Sequence, residues 1–223
     1  MSLIHPTAVI HPRAQLDPTV RVGPYAVIDE HVTLGAECEV GPHVYLTGHT
    51  VIGARNRFHA GCVVGDAPQD LKYKGAPTRL RLGDGNVIRE HATIHRSATD
   101  EGETVVGSNN FIMAGAHGGH NSRVGDHVIL ANGVLLGGYV EVGDRAMIGG
   151  GAAIHQFCRM GTLVVLQGLR PITKDLPPYT MAISFNTLSG LNVVGLRRAG
   201  FTDDQRLEIK RLYHLLFRSG LNV

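Results

Sequence analysis

Residues 22–46 read VGPYAVIDEHVTLGAECEVGPHVYL, and every sixth residue of this stretch is aliphatic. The same phase extends back to Ile4 and, after two interruptions, forward to Ile172, with Gly118 as the break in its last run. Glycine often follows the aliphatic residue, where a chain that turns a corner needs a residue without a side chain. A fixed hexapeptide period is typical of a parallel β-helix. The sequence therefore predicts an all-β fold built from hexapeptide repeats.

The repeat also predicts which residues stack. Three hexads make one triangular turn, so residues eighteen apart should lie on one another, beginning with Ile4, Val22, Val40 and Phe58. Each turn buries its apolar side chains only against the turns on either side, so stability is a sum of local interfaces. The period by itself does not fix the hand of the helix.

Interruptions of the repeat divide the chain. We predict a β-helix over residues 1–175, with loops that leave the scaffold near residues 66–81 and 96–105. Binding and catalytic groups concentrate on loops that a rigid scaffold positions. Residues 176–223 have lost the period and are predicted as a linker, which begins with the breaker LPPY, and a short α-helical appendix.

The appendix shows helix signals. Residues 191–199 are predicted as a helix that Gly200 ends. Residues 202–205, TDDQ, form a capping box, and the helix they open carries a stripe of leucines before Gly220 ends it. So few helices cannot bury their own apolar stripe. We therefore expect them to pack on the β-helix or on a neighbouring subunit.

Composition narrows the class of protein. The 223 residues fit one large domain, or one domain with an appendix. Cys38, Cys62 and Cys158 have no CxxC spacing and an odd total, so we predict free, buried thiols in a reducing cytosol. The sequence shows no secretory signal and no apolar run that could span a bilayer. From Arg159 onward nine basic residues face four acidic ones, which suggests either an acidic partner or ordinary solvated helix surfaces.

The segment MAGAHGGHN at residues 113–121 is a candidate for chemistry, because His117 and His120 flank the break at Gly118. Three readings are open: a metal site, a structural surface, or a general base with a binding partner. No carboxylate or Cys nearby completes a metal set, and a straight strand does not place residues three apart on one face. The general base is therefore the favoured reading, and no metal site is predicted.

Several strings stand out from the repeat. They are QDLKY at 69–73, PT at 77–78, RE at 89–90, TIHR at 93–96, AHGGH at 116–120, ILAN at 129–132, IHQF at 154–157, PPY at 177–179 and GLRR-x-GF at 195–201. In combination they resemble the UDP-N-acetylglucosamine O-acyltransferases of lipid A biosynthesis over nearly the whole chain. Hexapeptides alone occur in many acyltransferases, whereas QDLKY, IHQF and GLRR-x-GF are specific.

The resemblance implies a left-handed β-helix that assembles as a homotrimer with active sites between subunits. It implies transfer of a 3-hydroxyacyl group from acyl carrier protein to the 3-hydroxyl of UDP-N-acetylglucosamine, the first step of lipid A biosynthesis, in the cytoplasm. No cofactor, no nucleic-acid partner and no transmembrane segment are predicted.

The resemblance also implies residue roles. His120 matches the general base, and Gly138 matches the glycine whose backbone N–H faces the developing oxyanion. Asn121 stands beside the base where the family usually has Asp; its amide oxygen can hold the imidazole tautomer but cannot offset the imidazolium charge. Gly168 falls where a residue ends the acyl groove, which predicts a donor longer than about ten carbons. The substrate-binding positions are Asp70, Lys72, His117, Tyr139, His155, Gln156, Gly168, Asn192 and Arg198.

The departures leave other functions open. Tyr139 replaces a second His of the family pattern, Val194 replaces an acidic nucleotide contact, and Ala199 replaces an Arg. With Asn121 and Tyr139 remaking the site beside the base, one alternative is N-acyl transfer to an amino-modified UDP-sugar. Another is a non-catalytic paralogue that binds acyl carrier protein or nucleotide.

Overall fold

The computed structural model describes residues 3–220, and its short strands form three long sheets. Strands three apart in chain order pair in parallel, and each full coil of a left-handed parallel β-helix gives one strand to each sheet, as predicted. Sheet 1 contains Val9–Ile10, Val27–Ile28, Tyr45–Leu46, Val63–Asp66, Thr93–His95, His117–Gly118, Leu135–Leu136, Ala153–Ile154 and Pro171–Ile172. Sheet 2 contains Gln15–Leu16, Val32–Leu34, His49–Ile52, Arg79–Leu82, Glu103–Val106, Arg123–Val124, Glu141–Val142 and Arg159–Met160. Sheet 3 contains Arg21–Val22, Glu39–Val40, Arg57–Phe58, Val87–Ile88, Phe111–Ile112, Ile129–Leu130, Met147–Ile148, Val165–Leu166, Thr180–Ser184 and Thr187–Leu191.

The predicted stacking is confirmed by the register of these strands. Ile4 forms a parallel bridge with Val22, Val22 pairs with Val40, and Val40 pairs with Phe58. The aliphatic residues of the hexads make one continuous core inside the prism. The cysteines Cys38, Cys62 and Cys158 are free and buried, as predicted.

Corner residues of the prism adopt positive φ angles. Asn121, Tyr139 and Phe157, one from each of three successive coils, have φ values of 59°, 60° and 68°. Positive φ is uncommon for residues other than glycine. Because these three coils turn the corner of sheets 1 and 2 in the same way, their side chains leave it in matching directions.

Two loops leave the prism at this same corner. The first joins Val63–Asp66 to Arg79–Leu82, and Arg96 anchors it by donating to the Gly65 carbonyl at 2.8 Å and to the Tyr73 hydroxyl at 3.2 Å. The second follows Thr93–His95. It ends earlier than predicted, because Glu103–Val106 is already a strand paired with Arg79–Leu82.

The stretch predicted as a linker contains a hairpin that the sequence did not reveal. Thr180–Ser184 pairs in parallel with Val165–Leu166 and antiparallel with Thr187–Leu191. These strands lack the hexapeptide period, so the spacing of apolar residues did not predict them. Ala182 in the first of these strands is fully buried in the core, as the inward residue of a hexad would be.

Two helices follow the hairpin. Helix α1 spans Val193–Arg198 and begins two residues later than predicted, because the chain up to Leu191 is strand and Asn192 caps the helix. Gly200, with a φ of 87°, ends α1 as predicted. Helix α2 spans Asp203–Phe217, opens with the predicted capping box, and ends before Gly220.

The leucine stripe of α2 is only partly covered within one chain. Leu207, Leu212, Leu215 and Leu216 are about half exposed, and Tyr213 is the buried residue of this helix. The described residues of one chain therefore cover the stripe only in part, and its exposed side remains available for the predicted contact with a neighbouring subunit. Over residues 3–220 no helix has the length and apolar character needed to cross a membrane.

Candidate active site

His120, Gly138 and Gln156 occupy equivalent places in three successive coils. Each lies between a strand of sheet 1 and a strand of sheet 2, so the three form a column along that corner. The contact between the first two is close: a Cβ on Gly138 would lie 2.7 Å from Nε2 of His120. Only glycine leaves room for the imidazole here, so the column places a ring nitrogen directly over the Gly138 backbone.

Asn121 orients the imidazole from its other side. Its Oδ1 atom lies 3.0 Å from Nδ1 of His120 and accepts a hydrogen bond from the Ala98 backbone N–H at 2.9 Å. An N–H group can only donate, so the atom that faces both partners is the oxygen. His120 therefore carries its proton on Nδ1, and Nε2 keeps a lone pair that can accept a proton.

His117 is held neutral near this column. Its Nδ1 lies 2.8 Å from the Thr93 hydroxyl, and its ring meets the buried His95 ring edge-on at 4.9 Å. Burial, with smaller contributions from His95 and His120, lowers the pKa of His117 to about 4. An uncharged ring suits hydrogen bonding to a sugar group. The corner thus brings His117 and His120 together, which a straight strand would not do.

Tyr139 and Phe157 form an aromatic stack beside His120. Their rings lie 4.8 Å apart with planes 17° from parallel, and the His120 ring meets Tyr139 edge-on at 5.5 Å. The Tyr139 ring thus packs against both the His120 ring and the Phe157 ring. The eighteen-residue spacing of Asn121, Tyr139 and Phe157 was the signal that could have predicted this stack.

The glycines around His117 differ in packing: a Cβ on Gly115 would meet nothing within 4 Å, whereas Gly118 and Gly119 are closely surrounded. Gly118 faces the core, paired between Ile94 and Leu136, where a Cβ would lie 3.5 Å from the Ile94 side chain. A Cβ on Gly119 would collide with the Leu136 carbonyl at 2.6 Å. This segment therefore leaves space for a ligand at Gly115 but not at Gly118 or Gly119.

Other predicted contact residues lie on the same corner and are open to solvent. His155 and Gln156 are exposed in the coil beyond Gly138. Lys72 is exposed on the first loop, where Asp70 Oδ1 accepts the Lys72 backbone N–H at 2.9 Å. These groups are free to meet a substrate or a second chain.

The remaining predicted residues lie at other corners. Asn192 donates to the Leu163 carbonyl at 2.8 Å and accepts from Gly195 N–H at 2.8 Å, so most of its amide serves the fold. Arg198 lines a cleft of about 380 Å³ at the corner of sheets 2 and 3. Gly168 lies at the corner of sheets 3 and 1, where a Cβ would approach the Gly150 carbonyl to 2.8 Å. One chain therefore does not bring the predicted site together.

Residues that the sequence did not single out complete the surroundings of His120. Ser97, Ala98 and Thr99 of the second loop hold the Asn121 amide. They lie in a loop that lacks the hexapeptide period, so no residue spacing predicted their contact with Asn121. His95 is 6% exposed and contacts His117.

Comparison with known proteins agrees with this architecture. Residues 175–223 match the family model described as Udp N-acetylglucosamine O-acyltransferase, domain 2, and residues 103–138 match the bacterial transferase hexapeptide model. A Herminiimonas arsenicoxydans protein named acyl-(acyl-carrier-protein)–UDP-N-acetylglucosamine O-acyltransferase is 45% identical over 99% of this chain and 85% of its own length. The chain belongs to the UDP-N-acetylglucosamine O-acyltransferase family. A member from Paraburkholderia xenovorans is 47% identical over all of this chain and 86% of its own length.

Solved structures of this family have the same fold. The Acinetobacter baumannii enzyme superposes with a TM-score of 0.94 at 40% identity, over 99% of this chain and 86% of that one. The Francisella novicida UDP-N-acetylglucosamine acyltransferase superposes with a TM-score of 0.96 at 39% identity, over 99% and 82%. Family membership therefore rests on sequence and on structure.

Proposed function

We propose that this protein transfers a 3-hydroxyacyl group from acyl carrier protein to the 3-hydroxyl of UDP-N-acetylglucosamine, the first step of lipid A biosynthesis. The observation that carries the proposal is the geometry of His120, with Nδ1 bonded to Asn121 and Nε2 against Gly138. Relatives that are 45% to 47% identical are named for this reaction. The cytoplasmic location stays a prediction.

The chemistry follows from the lone pair on Nε2. Nε2 of His120 takes the proton of the sugar 3-hydroxyl while that oxygen attacks the carbonyl carbon of the acyl thioester. A C–O bond forms, and the carbonyl oxygen becomes an oxyanion to which the Gly138 backbone N–H donates. The C–S bond then breaks, and the imidazolium returns its proton to the leaving thiolate. The products are the sugar ester and acyl carrier protein with a free thiol.

The other predicted residues would bind the two substrates. Lys72, His117, His155 and Gln156 would contact the acceptor sugar or the acyl donor. Arg198 would bind the diphosphate, because a guanidinium offers two parallel donors to phosphate oxygens.

The O-acyl reading is favoured over both alternatives. The relatives are named as O-acyltransferases, so transfer to an amino-modified sugar has no support from them. A protein that only binds its ligands would have no need of a base held in one tautomer, and His120 is so held.

Steady-state transfer from 3-hydroxyacyl carrier protein to UDP-N-acetylglucosamine tests the proposal. His120→Ala should lower kcat at least about 100-fold, the usual contribution of a general base. His43→Ala, which changes an exposed His at another corner, is the matched control. An unchanged rate in His120→Ala, or transfer only to the 3-amino sugar, would refute the proposed function.

We also propose that the protein works as a homotrimer with sites between subunits. His120, Arg198 and Gly168 lie at three different corners, so a site that uses all three needs more than one chain. The half-exposed leucines of α2 add an apolar surface for contact. Closed three-fold symmetry is one way for such chains to cover these surfaces. A fully active monomer in sedimentation velocity would rule the trimer out.

A further inference from the structure

The second loop surrounds the side chain of Asn121. The amide nitrogen of Asn121 donates to the Ser97 hydroxyl at 2.7 Å and to the Thr99 hydroxyl at 3.2 Å. The amide oxygen accepts from the Ala98 backbone N–H at 2.9 Å. We call Ser97, Ala98 and Thr99 the amide cradle. Each side of the Asn121 amide has partners of the correct kind, so its orientation is fixed.

This orientation decides the state of His120. If the amide of Asn121 were reversed, its nitrogen would face the Ala98 N–H, and two donors would oppose each other. The reversed amide would also offer an N–H to Nδ1 of His120 and favour the tautomer that carries its proton on Nε2. That tautomer has no lone pair at the position over Gly138, so it could not accept the sugar proton.

Ser97 holds both ends of the cradle. Besides the Asn121 amide, its fully buried hydroxyl accepts the Thr99 backbone N–H at 3.1 Å and lies 3.0 Å from the Thr99 carbonyl oxygen, to which it donates. These two bonds close the turn that presents the Ala98 N–H. Gly102 packs closely against the turn, since a Cβ there would lie 2.4 Å from the Ser97 hydroxyl oxygen and 2.7 Å from the Asn121 amide nitrogen.

We infer that Ser97 is a positioning residue for the acyl transfer: through the Asn121 amide it selects the tautomer in which Nε2 of His120 is the base. The kinetic part of this inference rests on the proposed function. A carboxylate at position 121 would not need the cradle, because both of its oxygens accept and either one would bind the Nδ1 proton. Ser97 is therefore needed because residue 121 is an amide and not a carboxylate.

A double-mutant cycle with Ser97→Ala and Asn121→Asp tests this pairing. In the native background, Ser97→Ala should lower kcat about tenfold, with KM changed less than about twofold, since the base is affected and substrate binding is not. In the Asn121→Asp background, the same change should cost less than about threefold. Nitrogen-15 NMR of labelled histidine should show the His120 proton on Nδ1 in the native protein, a mixture in Ser97→Ala, and Nδ1 again in the double variant.

Controls separate positioning from folding. Ser108→Ala removes a hydroxyl that accepts the Asp84 N–H at 3.1 Å in another coil, and should change neither kcat nor the His120 signals. If circular dichroism shows that Ser97→Ala is unfolded, Thr99→Val takes its place in the cycle. This substitution removes the second acceptor of the Asn121 amide nitrogen. Equal kcat losses in both backgrounds with an unchanged tautomer would overturn the inference. If no variant transfers acyl groups but the tautomer still responds to Ser97, the control of the His120 tautomer by Ser97 is upheld, whereas the proposed function and the kinetic part of the inference fail.

Discussion

Gly138 lies so close to His120 that a Cβ on the glycine would come within 2.6 Å of Cε1 and 2.7 Å of Nε2 of the imidazole. Gly138→Ala should therefore displace the ring from its place in the column. We expect kcat to fall at least about 100-fold while the fold is kept, because the displaced group is the proposed general base.

Gly118→Ala is the matched control for that substitution. Its added methyl would point into the core at an ordinary contact distance of 3.5 Å from Ile94. It should retain the native rate, measured as acyl transfer from acyl carrier protein. Native turnover in Gly138→Ala would show that the imidazole can move without loss, against the geometry described above.

Asn121→Asp should raise turnover. A carboxylate offsets the imidazolium charge that develops as His120 accepts the proton, and the amide does not. The gain should be about tenfold in kcat with little change in KM, because the interaction strengthens in the transition state. The measurement is steady-state transfer to UDP-N-acetylglucosamine. A slower Asp variant would mean that Asn121 is adapted to another acceptor.

His117 should make the native fold less stable in acid. Its pKa is about 4 in the folded chain, chiefly through burial, against 6.5 for an ordinary His. As pH falls from 6.5 towards 4, the unfolded chain binds this proton and the folded chain does not, so stability falls across that window. His117→Gln removes this dependence, worth at most about 1.4 kcal/mol per pH unit.

Urea unfolding of the native protein and His117→Gln, at about pH 7 and about pH 5, measures the difference. His43→Gln, at an exposed corner, serves as the control. Identical pH dependence for the native protein and His117→Gln would contradict the assignment.

The three cysteines should resist alkylation. Burial is the main cause that raises the pKa of Cys38, Cys62 and Cys158, to about 12 for Cys62. A thiol with so high a pKa holds almost no thiolate at about pH 8, and the thiolate is the reactive form. Peptide mass spectrometry should find these thiols unmodified in the native protein and modified in denaturant. Lys74→Cys on the first loop supplies an exposed reference thiol, and Cys62 labelling at the rate of that reference would disprove the prediction.

Gly168 should permit a long acyl donor. If this glycine leaves the groove open, each added methylene that is buried contributes about 0.8 kcal/mol, or roughly a fourfold gain in kcat/KM. We expect donors longer than about ten carbons to be preferred, measured with acyl carrier proteins of graded chain length. A Cβ added to Gly168 would come within 2.8 Å of the Gly150 carbonyl oxygen, so varying the donor is a cleaner test than substituting the glycine. Preference for the shorter of two donors would show a closed groove.

Much of the molecule follows from the sequence alone. The hexapeptide period is a local property, and each coil packs only on its neighbours, so the period determined the stacking of Val22 on Val40 and the burial of Cys38 and Cys62. The glycine at residue 200 and the capping box at residues 202–205 likewise placed the helix ends, because their signals are short-range.

The tertiary structure decided what the period does not encode. The hairpin of Thr180–Ser184 and Thr187–Leu191 forms because the last coil offers Val165–Leu166 as a partner, which no local pattern states. The amide cradle depends on a loop whose turn brings Ser97 against Asn121, residues 24 apart in sequence. Contacts of this kind come from aperiodic backbone, where conformation is set by the surrounding packing and hydrogen bonds rather than by residue spacing.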